Sequence, residues 1–368
     1  MKITVIGSGN AGCFTALHFG FYSRLLPNVS VELIHNPNRP PEKVGQGTLI
    51  EPPELLWEAM GLDWYNNPID ATPKLGILYE NWGKKRDRVF HPFPLSNTAL
   101  HYSPEKLQAT ILKSGYFNVK EEDIIDYKQI DSDYIFDCRG KPDNLKDYIE
   151  LENPVNAVIL AQDSKRDLYQ NWTRAVATTD GWCFVIPNTS NTTSYGYLYN
   201  HHITSDKKAK ENFEQSFDVE ATDQFKFKQY VAKNPIIDDR IILNGNKLFF
   251  LEPLEATAIG CYLNWIRLTW DWIMEGTKTA TEITNDLQGY ITEVNNFITW
   301  HYQYGSKYNT PFWKAAKKMT FKDSSFDKTL LRAKLYSLPV LLQEGNANEY
   351  GQWSSWNFKY WNDGMTKN

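Results

Sequence analysis

Hydrophobic positions along this chain change their period several times, and each change marks an element. KITVIG (residues 2–7) is a short β-rich run, GSGNAG follows it, and CFTALHFGFYSRLL spaces its apolar residues as a helix does. VSVELIH (29–35) then reads as a second strand, which completes a βαβ unit at the head of the chain. PPELLWEAMG (52–61) starts on proline, stops at glycine and has helical apolar spacing between them. SPEKLQATILKSG (103–115) repeats that logic, with Ser103 as N-cap and Pro104 at the first helical position. SDYIFDCRG (132–140) reads as a buried strand closed by a tight turn. From about 157 to 199 the pattern alternates with period two, and GWCFVIPNTSNTTSYGYLYN reads as a hairpin with a polar turn at 188–193. KLFFLEP (247–253) reads as another buried strand. A long helix follows, with Leu287, Tyr290, Ile291, Val294, Phe297, Ile298 and His301 on one face. From Phe321 the pattern is mixed and aromatic, and neither an internal repeat nor a low-complexity linker divides the chain.

The totals narrow the classes. The chain has 368 residues, 42% of them hydrophobic, which suffices for one large domain or two closely joined ones. A net charge of -5 with scattered basic residues, KKRDR being the densest run, gives no footprint for nucleic acid. The apolar run at the N-terminus is too short for a signal-peptide core or a membrane span, so no membrane partner is expected. Cys13, Cys138, Cys183 and Cys261 are widely spaced, which fits a cytoplasmic location and argues against a disulfide framework and against a metal site. Aromatic residues make up 14% of the chain, a composition suited to a flat, apolar ligand or to a large core.

Two stretches carry candidate chemistry. Gly7, Gly9 and Gly12, with Asn10 and Ala11 between them, form G-x-G-x-x-G between a strand and a helix. The first glycine permits the turn, the second lets the backbone approach a pyrophosphate, and the third lets the helix pack close, with the helix N-terminus attracting the phosphate charge. An acidic residue for the ribose hydroxyls is missing from the tip of the second strand, where His35 stands in ELIHNP and is expected to hydrogen-bond a ribose in its place. The second stretch is FLEPLEATAIG (250–260), which puts Glu252 and Glu255 in an apolar setting. A buried carboxylate costs several kcal/mol unless it is paired or hydrogen-bonded. The stretch alone leaves open which of the two is buried and which group, if any, pairs with it.

Five motifs in order, VGQGTLIEPPELLWEAMGL (44–62), ATPKLGILYENW (71–82), WCFVIP (182–187), FLEPLEATAIG and FITWHYQYGSKYNTPFW (297–313), together with the glycine motif and FDCRG, resemble the flavin-dependent tryptophan halogenase family. The resemblance runs from Met1 to about Trp313 and more weakly to Trp356. It implies an α/β, flavin monooxygenase-type fold: a doubly wound FAD-binding module at 1–283, interleaved with a substrate-side sheet inserted at about 75–110 and 150–235, and a helical C-terminal cap at 284–368. It implies FAD reduced by a separate reductase, O2, and chloride, bromide or iodide as co-substrate. Halide attacks a flavin hydroperoxide to give hypohalous acid, which Lys74 in TPKLG positions beside an aromatic carbon while Glu255 in PLEAT assists.

The resemblance also implies that Gly45, Gln46, Gly47, Thr48 and Leu254 contact the flavin and that Thr257 and Ala258 hold halide. By the same carry-over, His101, Tyr102, Trp182, Phe184, Phe312 and Trp313 line the substrate side. The sequence departs from the family at Gln46 for Glu, Phe184 for the second tryptophan of W-x-W-x-I-P, Ala256 for Ser and Ala258 for Gly. Its C-terminal region is shorter than that of tryptophan-specific members, so an indole, a phenol or a carrier-bound aromatic is expected rather than free tryptophan. A homodimer is compatible with the sequence. The rival readings are an aromatic monooxygenase and a flavin-binding homologue without turnover.

Overall fold

The computed structural model describes residues 1–39, 46–47, 51–83, 85–93, 99–164, 170–188, 192–343 and 348–366. The apolar run at the head of the chain forms the strand Lys2–Ile6, central in a six-stranded sheet. It pairs in parallel with Ser30–His35 on one side and Tyr134–Asp137 on the other. Asn118–Glu121 extends the sheet beyond Ser30–His35, and Ile241–Leu243 extends it beyond Tyr134–Asp137, both in parallel. The helix Asn10–Tyr22 buries Phe14, Leu17 and Phe19. A central strand with parallel neighbours is covered on both faces and takes a continuous apolar run, and Ile3 to Ile6 are buried accordingly.

A seven-stranded, mostly antiparallel sheet holds the alternating region. Gly181–Pro187 is its centre, paired with Thr193–Tyr199 and with Thr173–Ala177, and Gly76–Glu80 joins the latter in parallel. Period two sorts its residues: Cys183 and Val185 face a core with Tyr197, Tyr199 and the helix Asp206–Phe217, while Trp182 and Phe184 point to the opposite face. A small sheet, Gln46–Gly47 with Ala99–Tyr102 and Thr72–Lys74, stands apart from both.

The long helix runs Ala280–Tyr304 behind a capping box made by Thr279 and Glu282. Leu287, Ile291, Val294, Phe297, Ile298 and His301 are buried along it, as the periodicity predicts. KLFFLEP is a strand only at Phe249–Phe250, because Gly245–Lys247 is a 3-10 turn whose preceding Asn244 side chain accepts from the Gly245 N–H at 2.7 Å. The mixed C-terminal region is helical, at Ser324–Leu335, Leu338–Gln343 and Ser355–Thr366. Among the described residues no helix is long and apolar enough to cross a membrane.

Candidate active site

A cavity of about 660 Å³ lies between the glycine turn and the aromatic face of the seven-stranded sheet. The turn is built as the motif predicts. Gly7 has φ +101°, and a Cβ there would stand 2.9 Å from the Cys138 carbonyl oxygen. A Cβ on Gly12 would stand 1.9 Å from the Gly7 carbonyl oxygen, so this glycine sets how closely helix and strand approach. Gly9, the helix N-cap, meets nothing within 4 Å. With Ser8, Asn10 and Ala11 it lines the cavity, and the helix presents its unsatisfied amides there. His35 is half-buried at its strand end and is not a lining residue.

The opposite lip is the turn that closes the strand Tyr134–Asp137, expected from the sequence, but the side chains that hold it had no signal there. Asp137 is fully buried and accepts from Arg139 Nε at 2.8 Å and from the Tyr127 hydroxyl at 2.6 Å. Burial pushes its carboxyl up, but these bonds outweigh burial and hold it low. The ion pair fixes the turn that brings Cys138 and Gly140 to the cavity. Gly245 and Asn246 also line it, held by Asn244, whose side chain donates to Thr15 Oγ1 at 3.0 Å.

Trp182 and Phe184 form part of the sheet wall. Phe184 has room because Gly196 is its cross-strand partner, where a Cβ would fall 2.1 Å from the ring. The Trp182 indole donates to Glu252 Oε2 at 2.9 Å. Glu252 does not face solvent: it is 1% exposed and also accepts from the Tyr302 hydroxyl at 2.8 Å and Asn153 Nδ2 at 3.0 Å. Burial pushes its carboxyl up to about 7 against those three donors.

Lys74, Glu255 and Thr257 meet on the remaining wall. Lys74 ends a strand of the small sheet, is fully buried, and its Nζ has no hydrogen-bond partner among the described residues. Its nearest aromatic face is Phe93, with the ring centroid 5.3 Å from Nζ. Burial pushes the ammonium down to about 8 while the charge of Glu255 pulls the other way. Leu254, a lining residue, precedes two consecutive non-glycine residues in the left-handed region, Glu255 at φ 68° and Ala256 at φ 55°. Such backbone costs on the order of 1–3 kcal/mol per residue and persists where surrounding structure imposes it.

Glu255 Oε1 accepts from the Tyr79 hydroxyl and lies 2.9 Å from His301 Nε2, and His91 Nδ1 stands 3.8 Å away, whereas Oε2 has no partner among the described residues. Burial would push this carboxyl up, but His301 and His91 hold it well below the usual range. Next along the chain, the Thr257 hydroxyl is buried without a partner, directly before the helix Ala258–Trp270, and Thr257 and Ala258 both line the cavity.

The other sequence-derived residues fall in three places. Gln46 and Gly47 pair with Tyr102 and His101 in the small sheet that also carries Lys74, while Gly45 and Thr48 lie outside the described residues. His101 and Tyr102 are buried, and His101 Nε2 is 2.9 Å from Thr173 Oγ1, which lines the cavity. Phe312 and Trp313 are buried beside Trp82 and Tyr302, with the Trp313 indole donating to the Thr178 carbonyl at 2.7 Å, and neither lines the cavity.

The sequence profile of the tryptophan halogenase family matches residues 2–115 and 118–353. The chain belongs to the tryptophan halogenase family. Members are flavin-dependent enzymes, and membership implies use of FAD and halide. The tryptophan 7-halogenase KtzQ of Kutzneria sp. (strain 744) is 23% identical over 57% of this chain and 40% of its own length. The tryptophan 6-halogenase ThaL of Streptomyces albogriseolus is 21% identical over 98% of this chain and 87% of its own. The fold matches that of BrvH, a flavin-dependent halogenase from Brevundimonas sp. BAL3, with TM-score 0.76 and 17% identity, over 99% of this chain and 89% of that one. The α/β fold with a helical C-terminal region expected from the family's motifs is therefore the fold observed.

Proposed function

We propose that the chain is a halogenase that uses reduced FAD, O2 and a halide to halogenate an electron-rich aromatic such as an indole or a phenol. The observation that carries this is the buried ammonium of Lys74, unpartnered among the described residues, in a cavity that Glu255 and the glycine turn also line. FAD fits the residues present. Open space at Gly9 and free amides at the helix start suit a pyrophosphate, and Leu254 and the sheet wall suit a flat ring. When bound and reduced by a separate reductase, FAD would supply the two electrons that, with O2, halide and a proton from solvent, yield hypohalous acid, oxidised FAD and water.

The chain's own residues do the rest. The Thr257 hydroxyl and the start of the Ala258–Trp270 helix favour an anion, and so bind halide. At neutral pH an ammonium held at about 8 is mostly charged. Lys74 therefore donates a hydrogen bond to the oxygen of hypohalous acid and makes water the leaving group as the aromatic carbon attacks the halogen. The ring proton passes to the free Oε2 of Glu255, because a protonated ring is acidic enough to yield it to any carboxylate. Return of that proton to Lys74 closes the cycle, so hypohalous acid and the arene become haloarene and water.

The test supplies the protein with enzymatically reduced FAD, O2 and bromide, together with a panel of indoles and phenols. Mass spectrometry should find the bromine isotope doublet in an aromatic product. Hydroxylated product without bromine would instead mark a monooxygenase.

A further inference from the structure

Resting on the reading of Lys74 and Glu255 as the reacting pair, the buried carboxylate must stay ionised, and Lys74 does not hydrogen-bond it. Its two oxygens live in different surroundings. Oε1 takes the Tyr79 hydroxyl and His301 Nε2, and Oε2 takes nothing. His301 lies on the long helix and is fully buried. Its Nδ1 is 2.7 Å from the Phe297 carbonyl oxygen. A carbonyl can only accept, so Nδ1 carries a hydrogen and donates it. The hydrogen in the Nε2–Oε1 contact is then a second one on the same ring, or else it belongs to the carboxyl. The Tyr79 hydroxyl reaches Oε1 and stands 3.4 Å from His301 Nε2, and its donation to Oε1, the nearer atom, disfavours a hydrogen on the carboxyl. The Trp361 indole lies against the imidazole with centroids 3.9 Å apart and planes at 35°, and an aromatic face favours a cation over a neutral ring.

We propose that His301 is held as an imidazolium and that, with Tyr79, it is the positioning group that keeps Glu255 ionised through Oε1 and leaves Oε2 free for the reaction. The charged and titratable neighbours of the carboxylate are Lys74 on the Thr72–Lys74 strand, Tyr79 on Gly76–Glu80, His91 on Arg88–Pro92 and His301 itself. His91 Nε2 in turn meets Asn357 Nδ2 at 3.1 Å. The arrangement reaches Lys74 through charge. Burial lowers the ammonium and Glu255 raises it. Removing a donor from Oε1 lets the carboxylate take up a proton, so Lys74 loses its support and releases its own proton at lower pH. Turnover that needs the ammonium then fails at lower pH than in the wild type. A merely structural role would lower turnover equally at every pH.

The first test is proton placement in the full FAD-loaded chain, by NMR of ring-¹⁵N histidine, with His301→Gln identifying the His301 signals among seven histidines. Both ring nitrogens of His301 should carry hydrogen at neutral pH in the wild type, and only Nδ1 in Glu255→Gln. A wild-type His301 protonated at one nitrogen overturns the proposal, whether or not the protein halogenates anything. The second test is the pH profile of bromination in Tyr79→Phe, which removes one hydroxyl, with flavin affinity checking the fold. The basic limb should move down by about one pH unit, a tenfold loss at alkaline pH. An unmoved limb with uniformly lower turnover overturns the role assigned to Oε1. Absence of brominated product from the wild type at every pH would remove the proposed function and leave the NMR result to decide the proton placement.

Discussion

Gly9 and Gly12 sit in one turn, and substitution separates their roles. Gly12→Ala drives a Cβ to 1.9 Å from a backbone oxygen, so the helix must shift. The expected loss of stability is ~1–3 kcal/mol in urea unfolding. Gly9→Ala enters open space, so the fold should keep its stability while FAD affinity, read by flavin fluorescence, falls about tenfold or more because the methyl stands where a pyrophosphate would approach. Glu252 gives a pH-dependent prediction. Its folded-state carboxyl is raised from 4.5 to about 7, so the folded chain keeps a proton that the unfolded chain releases. The stability from this group is present below pH 4.5 and is lost as pH rises to about 7, a fall of ~3 kcal/mol that Glu252→Gln should remove from the slope of stability against pH. The backbone roles of Gly7 and Gly12 were legible because a motif fixes them locally. Glu252 was not, since its partners Asn153, Trp182 and Tyr302 lie 99, 70 and 50 residues away along the chain.

Elements were legible where a period or a cap decides them. The alternation of residues 181–187 sorts Trp182 and Phe184 from Cys183 and Val185, and it survives in the folded sheet. KLFFLEP misled because apolar composition alone does not distinguish a strand from a 3-10 turn followed by two extended residues. Gly196→Ala tests the sheet wall: its Cβ would sit 2.1 Å from the Phe184 ring, so the ring has to swing and flavin affinity should drop with little change in secondary structure. Thr279→Ala removes the capping box of the long helix and should cost ~1 kcal/mol in unfolding without altering flavin affinity. The left-handed pair Glu255 and Ala256 had no signal in the sequence, because neither is a residue type that favours φ above zero.

At the scale of the molecule, the site joins parts far apart in sequence: the glycine turn, the small sheet with Lys74, the large sheet with Trp182, and the strained Glu255 turn backed by the long helix. The family's ordered motifs made this assembly readable in outline. The histidine and tyrosine around Glu255 Oε1 were not readable, since sequence spacing does not show which carboxylate oxygen a side chain reaches. Reduced FAD, bromide and a reactive indole, supplied to wild type and to Lys74→Ala after both are checked for equal flavin affinity, decide whether Lys74 delivers the halogen. The wild-type product should carry a bromine isotope doublet, and the variant should lose it by about 100-fold or more. A doublet of undiminished intensity in Lys74→Ala would contradict delivery by Lys74, because hypohalous acid would then be reaching the ring without the lysine.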